Sequence, residues 1–400
     1  MKTMAIICEY NPFHNGHAYQ ISQHRSCCGV DCVIAVMSGN FVQRGAPALC
    51  DKWTRAKMAL MGGCDLVLEL PTLFAVQSAE RFARGAVEMI DAMGFVDFLS
   101  FGSECGDIAA LTRAAQVLLE PDFQAQVAKR MKSGTSYPAA RAATLSDALG
   151  GNCANLLAQP NNLLAIEYLK NLLRLNSKTV PITLRRTAGH HQSIAENGFC
   201  SASHLRERIT DGDEIDGLIP QPALTAFREA VQAGKAPVHT DGLDPLVTYL
   251  LRTQPPDALR RLPDMTEGLE GRFVAAGRSR HTFSAIAEAV KTKRYTRTRI
   301  DRTLIHLLLG ITKQDAELSP CYYRVLGANR TGAQFLRRLQ SAGAYPVITK
   351  TAGMAFEHPE AIRMFQVDCR ATDVYSLLFP TPENRVAGLD FTTSPIIIQE

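Results

Sequence analysis

The residues Met4-Ala5-Ile6-Ile7-Cys8-Glu9-Tyr10-Asn11-Pro12-Phe13-His14-Asn15-Gly16-His17 decide the fold that we expect for this chain. The apolar run at 4–8 is short and β-prone, which predicts a buried first strand. Asn11-Pro12 ends that strand, and the composition of 18–24 favours the start of a helix. A strand-to-helix turn at this position is where the first βα unit of a doubly wound sheet binds phosphate.

Two histidines flank a glycine within that turn. His14 and His17 can each donate a hydrogen bond to a phosphoryl oxygen as negative charge develops on it. The positive end of the following helix favours the same anion, and Gly16 lets the backbone approach closely. The turn therefore predicts a nucleotide site with His14 and His17 as catalytic residues; the alternative is a pair of surface loop histidines.

The composition is that of an ordinary globular protein of two or three domains, with 400 residues, 46% hydrophobic and 20% charged. The net charge of +4 is too small to dictate a polyanionic partner, so a nucleic-acid site must be a local patch. No apolar run reaches the length of a membrane span, and the start of the chain lacks a signal-peptide layout. The 11 scattered cysteines favour reduced thiols in a cytoplasmic protein. Cys27-Cys28 with Cys32 is the one cluster, and it lacks a second ligand pair at zinc spacing, so we predict no metal site.

Strands and amphipathic helices alternate after the histidine turn. Strands are predicted at 4–8, 31–37, 65–70, 96–101 and 179–186, and helices at 53–61, 78–93, 107–149, 160–175 and 201–209. This alternation predicts the α/β class, with a doubly wound parallel sheet and right-handed crossovers.

An acidic, glycine-containing break at 211–216 predicts a domain boundary. It divides the chain into a first domain, 1–210, which carries the histidine turn, and a second, mainly helical domain, 211–400. In the second domain, helices are predicted at 222–233, 245–252, 267–276, 283–293, 299–309, 332–340 and 357–378, extended segments at 322–326 and 345–349, and an irregular tail from 380.

Polar residues at the carboxyl ends of the predicted strands are candidates for ligand contacts, because ligands bind at that edge of a doubly wound sheet. Besides the histidine turn, these candidates are Ser38, Gly39, Asn40, Gln43, Arg44, Gly102, Ser103 and Glu104. Asn161, at a helix start, either caps the helix or binds ribose or base. Of Arg185 and Arg186, at most one reaches the ligand, because adjacent strand residues face opposite sides.

A further phosphate-binding element is predicted at the helix start Ser201-Ala202-Ser203. Small hydroxyls and free N–H groups at a helix start bind phosphate, and Arg206 adds a cation. A plain helix N-cap is the alternative.

The second domain contains one strongly basic segment, KTKRYTRTRIDR at 291–302, in which six cations stand against one acid. Its cations can contact a phosphate backbone and Tyr295 can stack on a base, although a solvated basic helix surface has the same composition. The RNA-binding residues predicted here are Lys291, Lys293, Arg294, Tyr295, Arg297 and Arg299. The footprint could extend to Arg185, Arg186, Arg260, Arg261, Arg337 and Arg338.

Together these motifs resemble those of the bacterial tRNA(Met) cytidine acetate ligases, which carry the HxGH pattern of the nucleotidylyltransferase superfamily. The shared stretches are EYNPFHNGH at 9–17, MSGNFVQRG at 37–45, DKW at 51–53, DLVLELP at 65–71, FGSE at 101–104, PNN at 160–162, IEY at 166–168, SAS at 201–203 and TKRYT at 292–296. His190-His191 departs from the Tyr-His that the family carries near its arginine strand, and the region after 310 matches loosely.

The resemblance implies an enzyme that uses ATP, with Mg²⁺, to activate acetate as acetyl-adenylate and to acetylate N4 of the wobble cytidine of elongator tRNA(Met). It implies that 1–210 is the ATP-binding catalytic domain and that 211–400 binds tRNA. The ATP-binding residues carried over are Ile7, Cys8, Glu9, Tyr10, Asn11, Pro12, Phe13, His14, Asn15, Gly16, His17, Ala18, Tyr19, Gln20, Gly102, Asn161 and Arg186, with Arg185 beside it; our own reading of the helix start adds Ser201, Ser203 and Arg206. No membrane and no obligate protein partner are expected.

Two other functions fit part of the sequence. An adenylyltransferase acting on a small phosphorylated metabolite needs the first domain alone and no basic helical domain. A non-catalytic RNA-binding protein keeps the basic segment but has no use for both histidines and the Ser-Ala-Ser turn.

Overall fold

The structure is a computed structural model, and it describes residues 1–150, 156–186, 198–266 and 268–399. His190-His191 and the predicted helix start at 267 lie outside the described residues. The strands are β1 (Thr3–Cys8), β2 (Cys32–Ser38), β3 (Phe41–Val42), β4 (Ala46–Pro47), β5 (Leu66–Leu70), β6 (Phe98–Ser103), β7 (Val180–Arg185), β8 (Tyr323–Ala328), β9 (Val347–Ile348) and β10 (Ile396–Ile397).

Helices follow most of these strands. They are α1 (Asn15–Cys28), α2 (Lys52–Met61), α3 (Thr72–Ala75), α4 (Ala79–Asp91), α5 (Ile108–Leu119), α6 (Phe123–Lys132), α7 (Tyr137–Leu149), α8 (Pro160–Arg174), α9 (Ala202–Asp211), α10 (Gln221–Gln232), α11 (Asp244–Thr253), α12 (Pro256–Arg260), α13 (Leu269–Ser279), α14 (Phe283–Val290), α15 (Arg297–Leu309), α16 (Arg330–Ala342), α17 (Pro359–Ser376) and α18 (Leu389–Thr392).

The central sheet has the strand order β10-β8-β5-β2-β1-β6-β7, with β9 paired to β8. Neighbouring strands run parallel except β5 and β8, which are antiparallel. The α/β class and the doubly wound parallel sheet are therefore confirmed. β8, which we did not assign to the sheet, joins it antiparallel to β5. The expectation of an irregular tail is wrong where β10 pairs with β8 in parallel.

The strands at the middle of the sheet are apolar along their whole length. Every residue of β2 and β5 is buried, because helices cover both faces of the sheet. The strongly amphipathic α4 packs on one face against α8, and α2 packs against α10. The central strands are thus held rigidly, and their carboxyl ends form a fixed rim.

A buried ion cluster joins β8 and α18 to the first half of the chain. Lys52 Nζ lies 2.8 Å from a carboxylate oxygen of Glu69 and 2.8 Å from one of Asp390. Arg324 Nη2 lies 2.7 Å from the same Asp390 oxygen, and Arg324 Nη1 lies 3.4 Å from Glu69. All four side chains are at most 3% exposed. The Arg324–Glu69 contact crosses the β5–β8 pair, and Lys52 connects Glu69 to Asp390 of α18. The ion cluster therefore helps to hold β8 and α18 against the first half of the chain.

The ion cluster alters the acidity of the carboxyl groups around it. Burial opposes ionisation of Asp390, yet Lys52 and Arg324 together hold its pKa at about 2. Burial and the nearby Glu69 carboxylate raise the pKa of Asp368 to about 6, and the Tyr322 hydroxyl donates to Asp368 at 2.5 Å.

The sheet contains strands from both sides of residue 210, since β8, β9 and β10 join the strands of the first half of the chain. The domain boundary that we predicted there stays a prediction.

Candidate active site

The carboxyl ends of β1 and β6 and the residue following β7 open into one cavity of about 1060 Å³. Its remaining walls come from α1, α4, α8 and α9, from the β3–β4 hairpin, from residues 238–240, and from α15. The predicted rim of the sheet therefore lines a cavity, and the cavity reaches across to a helix from the second half of the chain.

His14 and His17 form a stacked pair at the start of α1. Their ring centroids are 3.7 Å apart with an interplanar angle of 24°. His14 is the N-cap of α1, and its Nδ1 accepts a hydrogen bond from the backbone N–H of Gly16 at 3.0 Å. His17 Nδ1 accepts from the backbone N–H of His14 at 3.2 Å. With both Nδ1 atoms acting as acceptors, a neutral ring must carry its proton on Nε2.

The surroundings keep this pair neutral. Burial, followed by the charges of Arg186 and Arg206, lowers the pKa of His14 to about 3. Burial, the neighbouring His14 and Arg186 also lower the pKa of His17. Among the described residues, His14 Nε2 is buried without a hydrogen-bond partner, although His14 lines the cavity. An N–H donor is therefore prepared at the cavity wall for an oxygen that a ligand would supply.

Two arginines bring positive charge to the same cavity. Arg206 Nη1 donates to the backbone oxygen of Asn11 at 2.7 Å, and its Nη2 donates to Ser203 Oγ at 3.2 Å. Arg186 lines the cavity beside Gly102, where an added Cβ would lie 3.1 Å from the Arg186 side chain. Burial lowers the pKa of both guanidinium groups, but arginine remains charged in proteins. Both cations can therefore bind phosphate oxygens near the histidine pair.

Glu104 organises the start of α8, a role that we did not assign from the sequence. Its Oε1 accepts from both the backbone N–H and the side-chain amide of Asn161, at 3.1 and 2.7 Å. Its Oε2 accepts from the Asn162 backbone N–H at 2.7 Å, and Asn162 Oδ1 accepts in return from the Glu104 backbone at 3.0 Å. Asn161 is thus held by Glu104 at the cavity wall, with its side-chain oxygen left for a ligand.

The start of α9 is both a helix N-cap and part of the cavity wall, so it fits both alternatives that its sequence left open. Ser201 Oγ accepts from the backbone N–H of His204 at 3.2 Å, so Ser201 is an N-cap. Ser201, Ser203 and Arg206 also line the cavity. The hydroxyl protons and the cation of this turn face the space in which we predicted phosphate.

Most of the ATP-binding residues predicted from the sequence line the cavity, three line a smaller side pocket, and four line neither. Those along its wall are Ile7, Cys8, Glu9, Tyr10, Asn11, His14, His17, Gln20, Gly102, Asn161, Arg186, Ser201, Ser203 and Arg206. Gly16, Tyr19 and Arg185 line a smaller side pocket of about 60 Å³ beside His14. Pro12, Phe13, Asn15 and Ala18 line neither pocket.

The residues outside both pockets have structural contacts instead. Phe13 is fully buried and packs edge-on against Tyr10, with ring centroids 4.8 Å apart. The Asn15 side-chain amide donates to the backbone oxygen of Gly217 at 2.6 Å. The side chains of Phe13 and Asn15 therefore support the turn from behind, and contact of these two residues with a nucleotide stays a prediction.

Several cavity residues were not assigned from the sequence. They are Ser78, Ala79, Phe82, Tyr168, Glu207, Val238, His239, Thr240, Thr298 and Arg302, among others. Thr298 and Arg302 belong to the basic segment that we singled out, but nothing in their local pattern indicates that α15 packs against the β3–β4 hairpin. Residues 238–240 carry no motif at all.

The basic segment is partly neutralised by its own neighbours. Lys291 Nζ is 3.2 Å from Glu288, and Arg297 Nε is 2.8 Å from Asp301. Arg299 donates to the backbone oxygen of Asp264 and lies over the Tyr295 ring. Lys293 and Arg294 form no ion pair within the described ranges, and both are exposed.

Tyr295 does not present a free ring. Its side chain is buried at 8% exposure, and its hydroxyl lies 2.9 Å from the Thr266 hydroxyl. This contradicts the interpretation that Tyr295 stacks on a base, because the ring packs into the core beneath the basic segment.

In the part of the chain that the structure describes, no group of three or more His, Cys, Asp or Glu side chains is placed to hold a metal ion. Over the same residues, no helix is long and apolar enough to cross a membrane.

Comparison with known proteins gives a consistent result. The model of the HIGH Nucleotidyl Transferase family matches residues 1–388. The tRNA(Met) cytidine acetate ligase of Acetivibrio thermocellus is 37% identical over 415 residues, covering 100% of both chains. That of Thermoanaerobacter sp. (strain X514) is 40% identical over 399 residues, covering 98% of both chains.

Solved structures agree with these sequence matches. The Thermotoga maritima TmcAL bound with alpha-thio ATP superposes with a TM-score of 0.92 at 32% identity, and the apo form with a TM-score of 0.94 at 31% identity. Both alignments cover 100% of each chain. Since sequence and structure agree over the whole length, the chain belongs to the HIGH nucleotidyl transferase family and, within it, to the tRNA(Met) cytidine acetate ligases.

Proposed function

We propose that this enzyme uses ATP to activate acetate as acetyl-adenylate and transfers the acetyl group to the N4 amine of the wobble cytidine of elongator tRNA(Met). The observation that carries the proposal is the unpartnered Nε2 of His14, a neutral donor at the wall of a cavity that also holds Arg186 and Arg206. The names of full-length relatives supply the substrate class.

Acetate must be activated before its acetyl group can be transferred, because acetate has no usable leaving group. A carboxylate oxygen of acetate attacks the α-phosphorus of ATP, the bond between that phosphorus and the bridging oxygen breaks, and pyrophosphate leaves. Negative charge grows on the phosphoryl oxygens during this displacement. Enzymes of this kind catalyse mainly by positioning and charge stabilisation rather than by covalent chemistry.

The residues of the cavity suit those tasks. His14 and His17 donate from Nε2 to phosphoryl oxygens without having to change protonation state. Arg186 and Arg206 neutralise the departing pyrophosphate, with the hydroxyls of Ser201 and Ser203 beside them. Asn161, held by Glu104, presents its amide oxygen to the nucleoside.

The second step forms an amide bond. The N4 amine of cytidine attacks the acyl carbon, the bond from that carbon to the phosphate oxygen breaks, and AMP leaves as the amine loses one proton. A mixed anhydride is a good acyl donor, so alignment of the amine is the main requirement on the protein.

We further propose that Mg²⁺ enters with ATP and is bound mainly by the phosphate oxygens, since Mg²⁺ in such sites uses few protein carboxylates. Glu9 and Glu207 are carboxylates of the cavity wall that can contribute an oxygen ligand. When bound, the ion would neutralise charge on the pyrophosphate.

The exposed cations Lys293 and Arg294 support binding of tRNA to the second half of the chain. We propose a cytoplasmic location because that is where its tRNA substrate is found, and the many unpaired thiols suit a reducing compartment.

The test is direct. Purified protein is incubated with ATP, labelled acetate and bulk tRNA, and the digested RNA is examined for an acetylated nucleoside. We expect N4-acetylcytidine from tRNA(Met) and acetate-dependent release of pyrophosphate. Pyrophosphate release that needs a phosphorylated metabolite instead would favour the metabolite adenylyltransferase, and absence of turnover would favour the RNA-binding protein.

A further inference from the structure

One wall of the cavity has no task in the nucleotide reaction. It consists of the β3–β4 hairpin, residues 238–240 and one face of α15, and it contributes Val42, Gln43, Pro47, Val238, Thr298 and Arg302. The cavity volume of about 1060 Å³ lies at the upper end of the range of roughly 300–1,000 Å³ that is usual for ligand pockets. There is therefore room beside the nucleotide for part of a second substrate.

Arg302 is the unusual residue of this wall. Its Nε is buried without a hydrogen-bond partner, and within the described residues its guanidinium forms neither an ion pair nor a side-chain hydrogen bond. The nearby carboxylate of Asp301 is already engaged by Arg297 at 2.8 Å. Arg302 is half-buried as a whole, but its Nε–H is fully buried, and a buried donor without a partner is costly. Its position at a cavity wall therefore indicates a ligand acceptor.

The hairpin fixes this cation in place. Gly45 has a φ of +79°, and an added Cβ there would lie 2.3 Å from the backbone nitrogen of Arg302. This close approach brings the apolar side chains of Val42 and Pro47 to the same wall as Arg302. The hairpin is itself anchored at Gln43, whose backbone N–H donates to Glu9 at 2.9 Å.

We propose that this wall binds the target cytosine, turned out of the anticodon stack, with Arg302 donating to its O2 and N3 atoms. Val42, Pro47 and Val238 supply apolar surface for the flat ring. Cytosine has adjacent acceptors at O2 and N3 that match the two-pronged guanidinium, whereas uracil carries a proton on N3 and opposes it. Enzymes that modify a base bind it outside the stack in this manner.

This assignment rests on the proposed function and deepens it. A guanidinium on O2 and N3 leaves the N4 amine free at the adjacent corner of the ring, so that the amine can approach the acetyl-adenylate. Burial lowers the pKa of Arg302, but the guanidinium remains charged at neutral pH. Lys293 and Arg294, which precede α15, would bind phosphates of the tRNA, and Arg302 would recognise the base.

The test compares three measurements on the variants Arg302→Ala and Arg302→Lys. They are acetate-dependent ATP–pyrophosphate exchange, acetylation of a tRNA(Met) transcript, and inhibition by the same transcript with uridine in place of the target cytidine. We expect kcat/KM for acetylation to fall by about 10–100-fold in Arg302→Ala. Arg302→Lys, which keeps the charge and the helix contacts but loses the paired donors, should fall by about tenfold.

The other two readouts separate base recognition from other roles. Exchange should fall by less than about threefold, and the Ki of the uridine transcript should stay within about twofold, because phosphate contacts are untouched. A parallel weakening of the uridine transcript would overturn the assignment in favour of a phosphate contact. Loss of exchange equal to the loss of acetylation, or acetylation at the wild-type rate, would overturn it as well.

Arg294→Ala is the matched contrast, because its exposed guanidinium lies outside the cavity. It should weaken the cytidine and uridine transcripts equally. Wild-type enzyme that acetylates no tRNA would overturn the proposed function and, with it, this assignment.

Discussion

The histidine pair and the ion cluster are two buried polar regions of the same sheet, and they are built in opposite ways. His14 and His17 are neutral, and His14 Nε2 lacks a partner. Lys52, Glu69, Arg324 and Asp390 are grouped so that every charge has an opposite charge within 3.4 Å. One region leaves hydrogen-bonding capacity for a ligand; the other uses its capacity to hold the chain together.

The difference shows how to distinguish a binding site from a structural polar group. Burial alone does not separate the two, since His14 is 3% exposed and Glu69 is 1% exposed. The distinction is that each charged group of the ion cluster has an opposite charge within 3.4 Å, whereas His14 Nε2 has no partner among the described residues. If this comparison is right, damage to the ion cluster should lower stability, and damage to the histidine pair should lower the reaction rate.

The largest effect is expected for Lys52→Met, which leaves Glu69 and Asp390 with Arg324 as their one remaining cation. We expect a loss of about 3–5 kcal/mol in the free energy of unfolding, because a buried ion pair broken on one side leaves an uncompensated charge. Urea denaturation followed by circular dichroism measures it. Lys57→Met is the control, since its ion pair with Glu229 is partly exposed and should contribute at most about 1 kcal/mol. Equal losses in the two variants would remove the ion cluster from the comparison.

The next effect is expected for His14→Ala and His17→Ala. Each should lower acetate-dependent ATP–pyrophosphate exchange by about 10²–10³-fold, because a donor to the developing charge is lost. The affinity for tRNA should remain nearly unchanged, and loss of the α1 N-cap in His14→Ala should destabilise by about 1 kcal/mol. His281→Ala, at an exposed histidine, serves as the control. Equal losses of exchange and tRNA affinity would argue against separate sites.

A smaller effect is expected on the salt dependence of tRNA binding, where exposed cations can be compared with cations that already form ion pairs. Combined substitution of Lys293 and Arg294 by Ala should lower the slope of log K against log salt for tRNA binding by about two. Adding Arg297→Ala should lower it by clearly less than one further unit, because Arg297 is paired with Asp301 and Glu288. A full extra unit for Arg297 would show that its ion pairs open on binding, and an unchanged slope would remove the segment from the tRNA footprint.

The smallest effect concerns pH. Because the pKa of His14 is lowered to about 3, its ring should remain neutral with the proton on Nε2 down to about pH 5. Nitrogen-15 NMR of labelled histidine measures this, with a short unstructured histidine peptide as the reference. The unfolded chain binds a proton near pH 6.5 while the folded chain does not, so His14 should destabilise the fold increasingly as pH falls from about 6.5 towards 3. A His14 resonance that titrates together with that of the peptide would contradict the neutral pair.

Much of the fold and of the histidine turn could be predicted because the signals are local. The apolar runs of β1, β2 and β5 reflect burial on both faces, and the turn residues lie within a few positions of β1. The role of Glu104 was missed because its partners, Asn161 and Asn162, are distant in sequence, although the FGSE stretch was noted as a candidate.

The antiparallel β8 and the far wall of the cavity could not be predicted, for the same physical reason. Arg324 and Asp390 have no local pattern, and their position depends on Lys52 and Glu69 in another part of the chain. Likewise, the contact between Gly45 and Arg302 depends on the packing of a hairpin against a distant helix. Tyr295 was misinterpreted because a tyrosine among cations has the same sequence pattern whether its ring is exposed or buried.

The ion cluster also bears on any attempt to divide this protein. A fragment cut near residue 210 would lack Arg324 and Asp390, and it would expose the edge of β5 where β8 now pairs. Bare strand edges favour self-association. The first 210 residues are therefore not a transplantable module, and a protein engineer would need to carry β8 and α18 along with them.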